Sequence, residues 1–249
     1  MTTIITKPLD GIWQPDAPGK KVVFCTPTVT KPYQPYLDSL AASIPLITEA
    51  GWDESSVWRV GCPYISASRS MMLRQALDAK ADVIVFIDHD LSWRPQDLLT
   101  LIETPGDVVA GTYRYKKEGE EYMGRLIPGL NGAPIVRDDG CIRGFCIPAG
   151  FLKITRQAVN RFIEAYPELC YGEKCNPQID LFNHGAHKGV WYGEDYAFSR
   201  NWLDLGGEIW IIPTLQLDHW AGDNCYPGNF HEFLLRQPGG SNHETHVQE

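Results

Sequence analysis

Five apolar residues in unbroken succession, Val83-Ile84-Val85-Phe86-Ile87, run straight into Asp88-His89-Asp90. A short continuous run rich in β-branched residues reads as a strand buried on both faces, as in a parallel sheet. Such a sheet needs helices on both sides, so this one segment points to an α/β fold. Two carboxylates then emerge at the strand's C-terminal end, the edge where open α/β sheets place their ligands. With a turn starting there, Asp88 and Asp90 can converge on one hard cation and on the diphosphate that cation holds. The alternative is a pair of turn and cap residues, with Asp90 capping the next turn.

The flanking pattern agrees. Lys20 to Thr28 reads as a first buried strand that stops at Pro27. Residues 36–50 carry Leu37, Leu40, Ala41, Ile44 and Ile47 on one helical face, with Pro45 set to kink or split the helix. Val57 to Val60 is a short second strand, and a helix follows to about Lys80 with Ser66 or Ser68 as its cap. After the acidic triplet, Pro95 fits the first turn of another helix. Strand and helix alternate, the signature of a doubly wound α/β half. Further on, Asp107–Gly111 and Cys141–Ile147 read as strands, residues 116–148 as a loop and hairpin insertion, and residues 168–192 as a long loop. Thr155 caps a helix, Glu194-Asp195 opens one that ends at Gly206-Gly207, and two apolar stretches, 208–212 and 215–220, follow.

At 249 residues the chain has room for one domain, 20–236, between a proline-containing arm, 1–19, and a polar tail, 237–249. No apolar run reaches the roughly 20 residues of a membrane span, and the start of the chain lacks a signal-peptide core, which predicts a cytoplasmic protein. Seven cysteines, scattered and without a Cys-x-x-Cys pair, indicate neither a disulfide framework nor a zinc site. A net charge of −9 argues against a broad nucleic-acid surface and leaves Arg114, Lys116 and Lys117 as one small basic candidate.

Other groups carry chemistry. In Gly193-Glu194-Asp195, either acid can accept a proton from a substrate hydroxyl, while the plainer reading is a helix N-cap. His219 in Asp218-His219-Trp220 follows another apolar strand, and a neutral imidazole there can complete an Asp/His/water shell around Mn²⁺ or a similar ion. Arg69 can contact a base or a diphosphate, or serve only as a surface ion-pair partner. Thr26-Pro27-Thr28, at the end of the first strand, can meet a nucleoside through backbone and hydroxyl groups. His184 and His187 read as loop residues lining the acceptor side.

Taken in order, Thr26-Pro27-Thr28, Arg69-Ser70, Asp88-His89-Asp90, Pro148-Ala149-Gly150-Phe151, Gly193-Glu194-Asp195 and His219-Trp220-Ala221-Gly222 resemble the GT-A glycosyltransferases, particularly the family-2-like group. The similarity spans residues 20–222. It implies a Rossmann-like, mostly parallel central sheet flanked by helices, whose first half binds a nucleotide-diphosphate sugar, UDP-linked by first expectation. It implies donor contacts from Thr26, Pro27, Thr28, Arg69, Asp88, His89 and Gly150, with Gly150 letting backbone approach the sugar. Mn²⁺ or Mg²⁺ would sit on Asp88, Asp90 and His219, and Asp195 or Glu194 would be the acceptor-side carboxylate. The acceptor would be a hydroxyl on a glycan, a small molecule or a hydroxymethylated DNA base. Two alternatives stand beside it. A nucleotidyltransferase would normally carry a Gly-rich basic loop after the first strand, which Thr26 to Lys31 is not. A non-catalytic nucleotide-sugar binding module would retain the fold and lose an acid.

Overall fold

The computed structural model describes residues 19–130, 132–173 and 176–237; the predicted arm and tail fall almost wholly outside them. The first half alternates: β1 (Lys21–Thr28), α1 (Gln34–Glu49), β2 (Asp53–Val60), α2 (Ile65–Asp78), β3 (Val83–Ile87), a short β4 (Leu91–Trp93), α3 (Pro95–Glu103) and β5 (Val108–Ala110). The second half begins with β6 (Arg125–Leu126), β7 (Ile142–Cys146), β8 (Phe151–Thr155) and α4 (Arg156–Ala165). Two hairpins follow, β9 (Cys170–Glu173) with β10 (Asn176–Ile179), and β11 (Gly185–His187) with β12 (Val190–Tyr192). The described chain closes with α5 (Glu194–Asp204), β13 (Ile209–Ile211), β14 (Leu217–Ala221), β15 (Asn224–Tyr226) and α6 (Phe230–Arg236).

Eight strands form the central sheet in the order β2-β1-β3-β8-β5-β13-β7-β6. β1 pairs parallel with both β2 and β3, and β5 pairs parallel with β13. β8 is antiparallel to β3 and β5, and β7 is antiparallel to β13 and β6, so six of the eight strands share one direction. Helices cover both faces. Tyr36, Leu40 and Ile47 of α1 and Leu98, Leu101 and Ile102 of α3 pack with Val22, Phe24, Val83, Val85 and Ile87. On the other face, side chains of α2, α4 and α5 pack with Val23, Cys25, Ile84 and Phe86. This is the α/β sandwich that the run 83–87 required, because every residue of β3 is buried.

Several expectations need correction. β1 continues through Pro27 to Thr28, because β2 keeps pairing alongside after β3 has stopped at Cys25. α1 runs through Pro45; Ala41 and Pro45 both lie on its exposed face, where a released carbonyl meets water. Tyr64, not a serine, sits at the N-cap of α2, and its side chain makes no cap bond. The presumed loop 168–192 holds both hairpins. β8 was not expected at all, since Lys153 interrupts its apolar run. That lysine is buried and donates to the carbonyls of Ile102 and Thr104, closing the C-terminal end of α3. Thr155 does cap α4, accepting from the Ala158 N–H at 3.1 Å. Among the described residues no helix is long and apolar enough to cross a membrane.

Candidate active site

The carboxyl ends of β1, β2 and β3 share one edge, as parallel pairing demands. Asp88 stands at the end of β3, and its N–H donates to the Gly150 carbonyl at 2.8 Å. Gly150 lies just before β8, which runs back alongside β3 with Ile87 opposite Phe151. A Cβ on Gly150 would run into the Tyr113 hydroxyl and come within 2.5 Å of Asp88 Oδ2. The missing side chain therefore makes room for the Asp88 carboxylate itself.

Arg69 organises the cluster. It is 1% exposed, on the first turns of α2, where Ser66, Ser68 and Ser70 are buried beside it. Nη2 donates to Asp88 Oδ1 at 2.9 Å and Nη1 to Glu194 Oε1 at 2.5 Å. The guanidinium lies over the Phe182 ring, 5.4 Å from its centroid. One side chain thus joins the acid at the end of β3 to the acid that opens α5. Tyr113, which follows β5, donates to the other Asp88 oxygen at 3.3 Å. Burial pushes the Asp88 carboxyl above the ordinary carboxylate value, and Arg69 opposes the rise. The Tyr113 phenol is pushed far up by burial and by Asp88, so it stays a proton donor.

Asp90 and His219 meet because β14 pairs antiparallel with β4, placing His219 opposite Leu91. The Trp220 N–H donates to the Asp90 carbonyl at 2.9 Å and locks that register. His219 Nδ1 lies 2.7 Å from the Arg114 carbonyl, an acceptor only, so Nδ1 carries the proton. In the neutral ring Nε2 then keeps its lone pair, 3.7 Å from Asp90 Oδ1. Lys116 pairs with the other Asp90 oxygen. Burial alone would raise the Asp90 carboxyl, but a proton on His219 Nε2 together with Lys116 outweighs it and brings it down to about 2.

Glu194 and Asp195 occupy the first turn of α5, with Gly193 at the N-cap. Asp195 Oδ1 accepts the Tyr196 N–H at 2.8 Å. Burial, reinforced by the neighbouring Glu194 charge, pushes the Asp195 carboxyl up to about 7. The β11–β12 hairpin leads directly into this helix and carries Trp191, 70% exposed. His184, just before it, lies with Nδ1 3.0 Å from Ser66 Oγ.

The remaining sequence candidates divide. Thr26 is buried, with its hydroxyl 2.5 Å from the Tyr36 hydroxyl, so it faces the core. Pro27 is buried as well, while Thr28 keeps a buried hydroxyl with no hydrogen-bond partner among the described residues. His89 leans on Tyr33, ring centroids 5.7 Å apart. The small basic candidate is not a groove: Lys116 pairs with Asp90, Lys117 with Glu121, and Arg114 reaches the Gly119 and Pro227 carbonyls. No local motif announces Tyr113 or the contact of Lys116 with Asp90, because only the return of the chain after β5 brings them to the acids.

Among the described residues no set of three or more His, Cys, Asp and Glu side chains is arranged to hold a metal ion. Asp88 explains why: Arg69 and Tyr113 engage its two oxygens. Asp90 and His219 still fit a divalent cation bound largely by substrate. A hard cation commonly takes one or two protein ligands and completes its shell with phosphate oxygens and water.

No protein-family model matches the sequence, and no curated protein matches it. Among solved structures the chain is similar to A197 from STIV, at 15% identity over 93% of this chain and 99% of that one, with a TM-score of 0.49. It is similar to the catalytic domain of Drosophila β1,4-galactosyltransferase 7 in complex with xylobiose, at 14% identity over 84% and 70% of the two chains, TM-score 0.44. It is also similar to GalNAc-T7 with UDP, GalNAc and Mn²⁺, at 12% identity over 80% and 43%, TM-score 0.41. The parallel strands β2, β1 and β3, with Asp88-His89-Asp90 at the carboxyl end of β3 and helices on both faces, form the mostly parallel α/β arrangement expected from the sequence.

Proposed function

We propose that the chain is a metal-assisted glycosyltransferase that moves a sugar from a nucleotide-diphosphate donor to an acceptor hydroxyl, by direct displacement at the anomeric carbon. The observation that carries this reading is the Arg69 bridge between Asp88 and Glu194. It fastens a carboxylate of the nucleotide-side edge to the helix that bears a second carboxylate, Asp195, held near neutrality. Donor chemistry and proton removal then fall in one cleft.

The roles follow from the surroundings. Glu194 is committed to the buried guanidinium, so its role is to orient. Asp195 accepts the proton of the attacking hydroxyl, and a base poised near the working pH is the efficient one. Asp88, gripped by Arg69 and Tyr113, presents a fixed acceptor to a donor hydroxyl, and Thr28 offers its unpartnered hydroxyl to the nucleoside. A divalent cation held by Asp90, His219 and the donor diphosphate would stabilise the departing charge as a Lewis acid. Trp191 offers a ring face on the acceptor side, which suits a sugar or another ring-bearing acceptor. A protein of net charge −9 lacking a basic groove beside Asp90 favours a glycan or small molecule over DNA.

The test is a panel of UDP-, GDP-, CDP- and dTDP-sugars, scored for binding and for release of nucleoside diphosphate in Mn²⁺, Mg²⁺ and EDTA. Metal-dependent release of one diphosphate, abolished in Asp90→Ala, supports the reading and names the donor. Failure to bind any donor under all three conditions overturns it. A donor bound and never turned over, whatever acceptor is offered, returns the chain to the class of binding modules.

A further inference from the structure

The segment between β5 and β6 touches both prospective metal ligands. It is an irregular hairpin: Arg114 bridges Tyr122, the Tyr115 N–H donates to the Glu121 carbonyl at 3.0 Å, and the Met123 N–H to the Tyr113 carbonyl at 3.0 Å. Its base is anchored, because Tyr113 and Tyr122 are buried and Tyr122 packs on Phe230 and Phe233 of α6. Its turn, around Gly119 at φ +79°, is exposed. From this fixed base the Arg114 carbonyl orients His219, and the long Lys116 side chain reaches in to Asp90.

We propose that Lys116 is a diphosphate-binding residue that shares Asp90 with the divalent cation. It holds Asp90 in the free protein, and it passes to the donor diphosphate when cation and nucleotide enter. This rests on the glycosyltransferase reading and adds to it a cation supplied by the chain itself.

The physical argument is one of charge and reach. Asp90 is largely buried, with 14% of its side chain exposed, so an unpaired carboxylate there is unfavourable and some cation must accompany it. A nucleoside diphosphate brings two or more negative charges to the same edge, more than one divalent ion neutralises. Lys116 is a compact point charge on a flexible stem, with its side chain 32% exposed and able to turn from Asp90 toward solvent. Neighbouring cations do not substitute for it: Lys117 is paired with Glu121 and points along the hairpin, and Arg114 is tied to backbone carbonyls.

Two competing effects make the test sharp. In Lys116→Met the competitor for Asp90 is gone, so Mn²⁺ alone, followed by the electron paramagnetic resonance of the free ion, binds at least fivefold tighter than to wild type. In the same variant nucleoside diphosphate, measured by calorimetry at saturating Mn²⁺, binds at least tenfold weaker. Lys116→Arg retains the diphosphate affinity within about threefold. A merely structural lysine moves neither affinity in these opposite directions. If Lys116→Met leaves either affinity unchanged while wild type binds diphosphate, the proposal for Lys116 fails and the glycosyltransferase reading stands. If wild type binds no nucleoside diphosphate with or without Mn²⁺, that reading fails and the proposal with it.

Discussion

Asp195 and Glu194 are adjacent in sequence and opposite in circumstance. The carboxyl of the one is pushed up to about 7 by burial and by the other's charge, which Arg69 opposes only in part; the other lies directly against Arg69. As a base Asp195 must be ionised, so the rate with donor and acceptor is expected to rise with pH up to about 7 and to level off above it. Asp195→Asn keeps the shape and removes the base: turnover falls by about 10²–10⁴-fold while donor affinity is kept, and the pH profile flattens. The same raised value has a consequence for stability. A carboxyl whose folded value lies above its unfolded value stabilises the fold fully below the unfolded value, and that contribution is lost as pH rises through the folded one. Wild type therefore loses stability between about pH 4 and 7 relative to Asp195→Asn, in chemical denaturation at a series of pH values. Gly150 gives a second test at this scale. Gly150→Ala puts a methyl group onto Tyr113 and Asp88, an overpacking that costs about 1–3 kcal/mol. On the proposed reading Asp88 contacts the donor, so donor affinity is expected to drop at least about tenfold, the equivalent of 1.4 kcal/mol, in a protein that still folds by circular dichroism.

At the level of elements, legibility followed burial pattern. β1, β3 and the helix capped by Thr155 could be read because apolar runs and a capping residue mark them in one dimension. β8 could not, although it lies at the centre of the sheet. Its middle residue is a lysine, and only the packed structure reveals two carbonyls waiting for that ammonium. The hairpins β9–β10 and β11–β12 are too short and too mixed in composition to show an alternation. In the site, Asp88, Asp90 and His219 were visible because each follows an apolar strand. Tyr113 was not, and Lys116 showed only as part of a basic run, because their partners lie 25 and 26 residues away along the chain. Lys153 can be tested directly. Burial lowers its ammonium to about 8, yet it still donates to both carbonyls at the end of α3. Lys153→Met preserves the volume and strands those acceptors, for a loss of about 1–3 kcal/mol. In a domain of this size that is a fall in Tm of about 2–4 °C per kcal/mol, with nucleotide and Mn²⁺ binding unchanged since the lysine lies away from the acids.

The whole molecule is closed by contacts far apart in sequence. Asp90 and His219 come together through β4 and β14, Arg69 and Glu194 through α2 and α5, and Lys116 reaches Asp90 from the hairpin after β5. The first half of the chain supplies the edge that bears Asp88 and Asp90, and the second returns across it with the His219 imidazole and the carboxylates of Glu194 and Asp195. A ligand spanning Asp90 and His219 therefore ties the two halves together, and it binds only where both are folded. Such linkage stabilises the native state by about 2.7 kcal/mol at a ligand concentration of 100 Kd, which corresponds to a rise in Tm of about 5–10 °C for a domain of this length. The expected result is that nucleoside diphosphate with Mn²⁺ raises the Tm of wild type by that amount in a thermal melt, and that neither component alone does so to the same extent. His219→Ala removes the second half's contribution to the cation and leaves β14 paired with β4 through backbone bonds. Its melt without ligand falls, because the Arg114 carbonyl loses its donor at a cost of about 1–3 kcal/mol, while the joint shift measured from that lower starting point shrinks to the value given by nucleotide alone. A His219→Ala variant that retained the full shift would mean that the first half binds the ligand unaided, and that the return of the chain through β14 serves only to close the fold.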